Sequence, residues 1–527
     1  MAGIRSSFIY KMILIAGVVA LLLFAFGACA QESGYVSGLA ELPNFTGDLS
    51  GIAYSGKHVT ILLDGIPLPT DASSGICYVP QTLEDDAFDG RITVLEEAGY
   101  SYSVYVPDGF NKENALLNGL SLKVIGQGTA DTASTTVVFT PMPVIAIETA
   151  DGNLPGEEDC AAEMRVFSAE YRRIWLDETP IEINVRGNTS TRFPKKSYRV
   201  KVVDDSGEKD NLSIGGLRND DDWILNPMYT DTSKVREGLA YSLWEDINLS
   251  GGKAKSSGFA YCEVILNSEY WGLYLLQERI DRKQVDVNKR SGVLYKVVVN
   301  DPPAVESLIN CRDAAYCEGI ELEFAGAGLD KPWTPAAGYV AWLVGEDAIP
   351  LVEISEENFI DYGLFAMLTQ AYDCHFKNQF LHGVYERSRH VVYRIPWDLN
   401  NTFGDVWEND AQDTNYTEYR VLSPMIDPAF EKIINSADAK TIRRIQNRWA
   451  ELRRGPVQEE NILARAQDMH RRIFAAIERD SVRWPECGLG EGNAVNILDI
   501  RQFVEEMIPE MDLFISQLAS KENQTGR

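Results

Sequence analysis

Between residues 360 and 404 the chain carries an ordered run of signals that fixes which side chains can meet. Ile360, Gly363, Leu364, Met367, Leu368 and Ala371 fall on one face of a 3.6-residue period, which predicts an amphipathic helix. The helix delivers the chain to Ala371-Tyr372-Asp373-Cys374-His375-Phe376-Lys377-Asn378. Residues 379–385 and 390–395 then read as two strands around the polar turn Glu386-Arg387-Ser388-Arg389. The second strand runs into Pro396-Trp397-Asp398-Leu399-Asn400-Asn401-Thr402-Phe403-Gly404. A hairpin this short returns the chain, so Asp398 is expected opposite the loop that holds Asp373 and Asn378.

Phosphoryl transfer from ATP needs such a set. One carboxylate orients or deprotonates the attacking hydroxyl, while an amide oxygen and a second carboxylate hold the magnesium that neutralises the phosphates. Asp373, Asn378 and Asp398 suit these roles in turn, and hard oxygen donors suit Mg²⁺. Cys374 beside Asp373 reads as a loop cysteine, since a nucleophilic thiol needs an activating base. His375, His382 and His390 are close in sequence, but the hairpin separates them, which argues against a metal cluster.

Upstream, Ile181, Ile183 and Val185 alternate with Glu182, Asn184 and Arg186, a half-buried strand ending at Gly187, and 197–203 supplies a second. Asp231, Thr232 and Ser233 are expected to cap a helix in which Val235, Leu239 and Leu243 recur every fourth residue. Strands over 261–266 and 270–276 flank the turn Asn267-Ser268-Glu269. These make a small α+β lobe. A nucleotide there needs a cation, and Lys196 and Lys201, an odd number of residues apart, lie on opposite strand faces. Lys196 is the expected phosphate contact, with Glu237 on the capped helix as its partner. Arg186 and Asn188 flank Gly187, which lets backbone N–H groups approach an anion; Arg186 could equally pair with Glu182. Gln277 to Asp281, including Glu278, fall where the chain leaves the hairpin and are expected to meet adenine as a hinge.

The remaining chain sets the surroundings. Arg5 and Lys11 precede an uncharged apolar run, 12–30, that predicts export. It ends either at an Ala28-Cys29-Ala30 cleavage site or at a lipobox-like Phe26-Gly27-Ala28-Cys29, in which case Cys29 is lipidated and attaches the protein to a membrane. An uncleaved anchor is the third reading. Residues 31–143 read as an all-β module, either a surface-binding domain or a spacer, and the segments 442–452, 462–477 and 500–518 as helices in an extension over 441–527. A net charge of −29 and a pI near 4.6 repel polyanions and exclude a general nucleic-acid binder, while a local basic pocket can still hold a nucleotide. The eight cysteines include no C-x-x-C pair, which argues against zinc. Cys311 and Cys317 are a candidate disulfide, with two free thiols as the alternative. The run 407–413 reads as a solvated acidic loop that could select basic substrates.

Several stretches together resemble the spore coat protein H (CotH) kinase family. They are Val185-Arg186-Gly187-Asn188-Thr189-Ser190, Pro194-Lys195-Lys196-Ser197-Tyr198-Arg199-Val200-Lys201, Asp222-Trp223-Ile224-Leu225-Asn226, Val235-Arg236-Glu237-Gly238-Leu239-Ala240-Tyr241, Tyr270-Trp271-Gly272-Leu273-Tyr274-Leu275-Leu276-Gln277-Glu278-Arg279-Ile280-Asp281, and Pro396-Trp397-Asp398 with Phe403-Gly404. The resemblance spans 144–440. It implies an α+β, atypical two-lobed protein-kinase-like fold that uses ATP and Mg²⁺ to phosphorylate Ser or Thr of a protein substrate outside the cytoplasm. By the same resemblance Asp373 is the catalytic aspartate and Asp398 the metal-binding one. The family often has Trp-Asp-x-Asp, whereas this chain has Asn400 at the later position, so a second metal carboxylate is missing there. A non-catalytic surface-binding protein on the same scaffold, or an AMP transferase, remains an alternative, since fold does not fix function.

Overall fold

A computed structural model describes residues 35–45, 56–81, 92–168, 178–187, 189–298, 319–345, 348–375, 377–405, 426–486 and 497–519. The apolar run 12–30 with Cys29, the glycine-turn residue Asn188, the pair Cys311 and Cys317, and the loop 407–413 lie outside the described residues. The chain forms two compact units, Met1–Thr140 and Pro141–Arg527.

In the first unit, a four-stranded sheet and a six-stranded sheet account for half of the described residues. Val94 in the first sheet and Val79, Val124 and Val137 in the second are fully buried. The unit is not purely β. Lys112–Leu117 is a short helix whose start is fixed by the Asn111 side chain accepting from the Asn114 N–H at 2.8 Å.

The second unit begins with a closed seven-stranded barrel. Its strands are β1 (Val144–Thr149), β2 (Cys160–Phe167), β3 (Thr179–Arg186), β4 (Ser197–Val202), β5 (Asp222–Asn226), β6 (Phe259–Leu266) and β7 (Glu269–Glu278). They run in the order β1-β2-β3-β4-β5-β7-β6, and parallel pairing of β1 with β6 closes the ring. Ile181, Ile183, Tyr198, Val200, Trp223, Val264 and Tyr274 fill it. The β6–β7 hairpin turns through Asn267 and Ser268, both left-handed at φ 50° and 60°, as a tight two-residue turn demands. Helix α1 (Arg236–Ile247) starts later than its capping residues suggest. Residues 231–235 form a turn, from which the Asp231 carboxylate accepts the Arg236 N–H at 2.9 Å.

A five-stranded sheet follows. It contains β8 (Val293–Val298), β9 (Ile320–Ala325), β10 (Val352–Ile354), β11 (Lys377–Glu386) and β12 (Arg389–Pro396), ordered β9-β8-β11-β12-β10. Around it stand α2 (Thr334–Val344), α3 (Glu356–Thr369), α4 (Pro428–Ser436), α5 (Ala439–Leu452), α6 (Glu459–Arg483) and α7 (Leu498–Gln517). One apolar core runs from Leu239 and Trp244 on α1 through Phe365, Phe380 and Trp397 to Trp449, Ile473 and Met511. The C-terminal helices therefore belong to the same core as the sheet. The unit is α+β. Among the described residues, no helix is long and apolar enough to cross a membrane.

Helix α6 is also pinned to the barrel by charge. Lys195, fully buried before β4, places its ammonium 2.7 Å from the Asp480 carboxylate and 3.1 Å from the Pro227 carbonyl. Asp480 also accepts the Leu273 N–H at 2.9 Å. Nearby, Arg479 grips the buried Glu263 through two nitrogens, at 2.5 and 3.2 Å.

Candidate active site

The hairpin brings together the residues on either side of it. Helix α3 stops at Gln370, which turns left-handed (φ 49°), and a single 3-10 turn, Tyr372–Cys374, presents Asp373. Cys374 points inward, its thiol 3.4 Å from the Trp397 carbonyl, so the Asp373 turn is tied to the segment bearing Asp398. Across the hairpin, the Trp397 N–H donates to the Asn378 carbonyl at 2.9 Å. Asn378 and Asp398 both take left-handed backbone angles, φ 53° and 60°. Asn and Asp tolerate that region better than other non-glycine residues, and such strain gathers at functional sites. Beyond Asp398, Asn401 donates to Asp373 at 3.0 Å and Asn400 donates to Asn401 at 3.0 Å. The Lys377 ammonium stands 3.5 Å from Asp373.

The barrel faces this loop with charges of its own. Glu237 on α1 is buried and accepts from Gln277 at 2.7 Å, Asn226 at 2.7 Å and the Tyr241 hydroxyl at 3.1 Å. Burial, followed by repulsion from Asp398, pushes its carboxyl up to about 8, against the lowering effect of Gln277, Tyr241 and Arg186. Tyr241 joins the two halves, because its oxygen also accepts the Asp398 N–H at 3.2 Å. Asp398 is exposed at the opening, with protein crowding its flanks. That crowding raises its carboxyl, Arg186 opposes the rise, Asp373 adds to it, and Lys296 and Lys377 oppose it; solvent access limits the net effect. At the end of β3, Arg186 loses some of its basicity to desolvation, while Asp398 supports its charge and Arg279 opposes it.

Five predicted residues thus converge, Asp373, Asn378, Asp398, Arg186 and Glu237, and Asn400, where the sequence lacks a second carboxylate, joins them through Asn401. Three others do not behave as expected. Lys196 is not the partner of Glu237, because its ammonium donates to the Thr191 carbonyl at 2.7 Å while amide and hydroxyl donors hold Glu237. Lys201 faces outward to Asp159 and to Glu182, 3.4 Å away, which leaves Arg186 free of Glu182. Glu278 cannot offer its backbone to a base. Its N–H donates to the Gly258 carbonyl at 2.8 Å, its carbonyl accepts from Ser257 at 2.7 Å, and its side chain accepts the Arg218 N–H at 2.8 Å, which tie the end of β7 to the segments that lead into β6 and β5. The histidines stay apart: His382 donates from Nδ1 to the Lys253 carbonyl at 2.8 Å, and His390 meets the Ser291 carbonyl at 3.2 Å. Burial raises the Cys374 thiol well above its usual range, which keeps it protonated.

Sequence reasoning missed Tyr241, Lys296, Lys377 and Asn401, and it expected Arg279 only as part of the Gln277 to Asp281 hinge. Lys377 and Asn401 lie next to predicted residues and were within reach of a local reading. Tyr241 was detectable as the residue one turn after Glu237 on the same helix face. Lys296 left no local signal.

Among the described residues, no three of His, Cys, Asp and Glu gather as a ready-made metal site. Magnesium does not require one. It takes one or two protein carboxylates or amides, together with waters and substrate phosphates, and Asp398 with the amide oxygens of Asn378 and Asn400 offers that kind of hard donor set.

No curated protein matches this chain. The model of the family described as CotH kinase protein matches residues 183–508, more than half of the sequence. The match starts within β3, covers Arg186, Glu237, Asp373 and Asp398, and continues past residue 440 through α6 into α7. The chain belongs to the CotH kinase family.

Proposed function

We propose that the protein is an exported, magnesium-dependent protein kinase that transfers the γ-phosphoryl group of ATP to a Ser or Thr hydroxyl. In this reading the barrel with α1 is one lobe, the sheet with its helices is the other, and nucleotide binds between Arg186 and Asp398. The observation that carries it is the convergence of Asp373, Asn378 and Asp398 on one loop pair facing Arg186 and Glu237. Asp373, held by Asn401 and Lys377, would orient the acceptor hydroxyl and take its proton. Asp398 and Asn378 would hold the magnesium, which supplies charge neutralisation at the phosphates. Export rests on the run 12–30, with Cys29 as the site of lipid attachment.

Incubation with Mg²⁺ and ATP labelled at either the γ or the α position, followed by mass measurement, tests the reaction. Gain of one phosphate from the γ label supports the kinase; a nucleotide adduct supports AMP transfer; no transfer with retained nucleotide binding supports a non-catalytic binding protein. Asp373→Ala is expected to lower transfer by ~10²–10⁴, the usual worth of general-base catalysis, with nucleotide affinity retained.

A further inference from the structure

The lysines near the barrel are already engaged. Lys195 is bound to Asp480, Lys196 to the Thr191 carbonyl, Lys201 to Asp159 and Glu182, and Lys234 to the Met228 carbonyl at 2.6 Å. None is left to meet a phosphate without breaking a contact it already makes.

Lys296 on β8 differs. It is half-buried, yet among the described residues no hydrogen bond or ion pair engages its ammonium group. Lysine is seldom withdrawn from solvent without a partner, because desolvating the charge is costly. Its place in the sheet is specific. Lys296 pairs with Phe380 on β11, so the two side chains share a face. The Phe380 ring meets the Trp397 ring edge-on at 5.9 Å, immediately before Asp398. Lys296 is therefore on the face of the sheet that bears the acidic loop, and its charge is among those felt by Asp398.

Arg186 mirrors it on the barrel side. Among the described residues no hydrogen bond or ion pair engages its guanidinium, although it carries five donors, and Asp398 and Glu237 act on it from beyond contact distance. A fork-shaped donor set on the barrel and a point charge on the sheet, both acting on Asp398, are complementary means of holding phosphate oxygens.

We propose that Lys296 and Arg186 form a two-sided clamp on the phosphate groups of a nucleoside polyphosphate, with Lys296 filling the role that the sequence assigned to Lys196; this rests on reading the cleft as a nucleotide site. The sheet, and not only the barrel, then supplies the cation, and phosphate binding draws the two parts together. Nucleotides with more phosphates gain more from the clamp, and adenosine gains nothing.

Dissociation constants for MgATP, MgADP, AMP and adenosine, measured on the full chain and its Lys296→Met, Lys296→Arg and Lys196→Met variants, test this. Lys296→Met is expected to weaken ATP and ADP by about tenfold to a hundredfold, the worth of one charge-assisted hydrogen bond, and to leave adenosine unchanged. Lys296→Arg should recover most of the loss, and Lys196→Met should change nothing. Unchanged ATP affinity in a Lys296→Met protein with native melting temperature overturns the clamp and leaves the nucleotide site standing. Equal losses for ATP and adenosine overturn it too, since a structural role moves both. If the unmutated protein binds none of the four, the nucleotide site fails, and the clamp fails with it.

Discussion

Two arginine–aspartate partnerships in the same unit are built in opposite ways. Arg394 on β12 and Asp427 at the start of α4 are both fully buried and joined by two bonds, at 2.7 and 2.8 Å. The Arg394 Nε donates to Gln379 at 2.7 Å, its guanidinium lies 3.7 Å from the centre of the Tyr362 ring, and Asp427 also caps α4 by accepting the Phe430 N–H at 3.0 Å. Arg186 and Asp398 influence each other without an ion pair, and Asp398 is exposed. The first pair is complete within the chain and holds the sheet to its helices. The second leaves charge unsatisfied where a ligand can supply the partner, which is how a binding site differs from a structural one at the level of single groups.

The same substitution at both aspartates breaks this comparison if it is wrong. Asp398→Asn keeps the shape of the side chain and removes the charge. It is expected to lower transfer by at least the ~10²–10³ that one preorganised electrostatic contact supplies, with the melting temperature unchanged. Asp427→Asn keeps an acceptor for the helix cap but leaves the Arg394 charge buried without its counter-ion, at a cost of about 3–5 kcal/mol in urea unfolding. If Asp398→Asn proves the destabilised variant and Asp427→Asn the inactive but stable one, the two roles have been assigned the wrong way round.

The difference between the pairs also explains what could be read in the sequence. Asp373, Asn378 and Asp398 were legible because a helix end and one hairpin bring them together over a short stretch of chain. The strands and most helices were legible for a similar reason, since periodicity is local. The neighbours Lys195 and Lys196 were not distinguishable by any local rule. What separates them is Asp480, which lies 285 positions further on and takes one of the two into the core. Closure of the barrel by β1 against β6 is equally non-local, whereas the Glu278 backbone is taken up nearby, by Gly258 and Ser257 where the β6–β7 pairing begins. Lys296 was invisible because its meaning depends on β8 lying beside β11.

Two glycines sharpen the contrast between closed and open regions with a smaller effect. Gly187 (φ 108°) and Gly272 (φ 118°) both occupy backbone conformations that a side chain strains, and a Cβ at either would collide with a neighbour. At Gly187 the obstacle is the Ser190 hydroxyl, 2.0 Å away, which can rotate aside. At Gly272 it is the Asp480 carboxylate, 2.2 Å away, which Lys195 and the Leu273 N–H hold in place. Gly272→Ala should therefore cost more than the about 1–3 kcal/mol of backbone strain that Gly187→Ala carries. Equal losses in urea unfolding would mean that the Asp480 contact can yield, and that α6 is held less firmly to the barrel than its geometry implies.

The smallest effect concerns proton uptake in the closed region. His382 is buried, with Nδ1 committed to the Lys253 carbonyl, and burial is the largest cause that pushes its pKa down to about 4. The unfolded chain, with an ordinary histidine near 6.5, takes up this proton first as pH falls. The stabilising contribution is therefore complete above about 6.5 and is lost progressively as pH falls towards 4, amounting to about 1 kcal/mol between pH 7 and 5.5. Carboxylates contribute to acid loss as well, so the comparison that isolates His382 is the slope of unfolding free energy against pH in the native protein and in His382→Gln. The variant should start lower at pH 7, having given up a buried contact, and then decline less steeply over this window. Parallel slopes would mean that His382 is protonated in the folded state, which requires solvent or a counter-charge to reach it, and the sheet behind the candidate site would then be less closed than the Arg394–Asp427 pair.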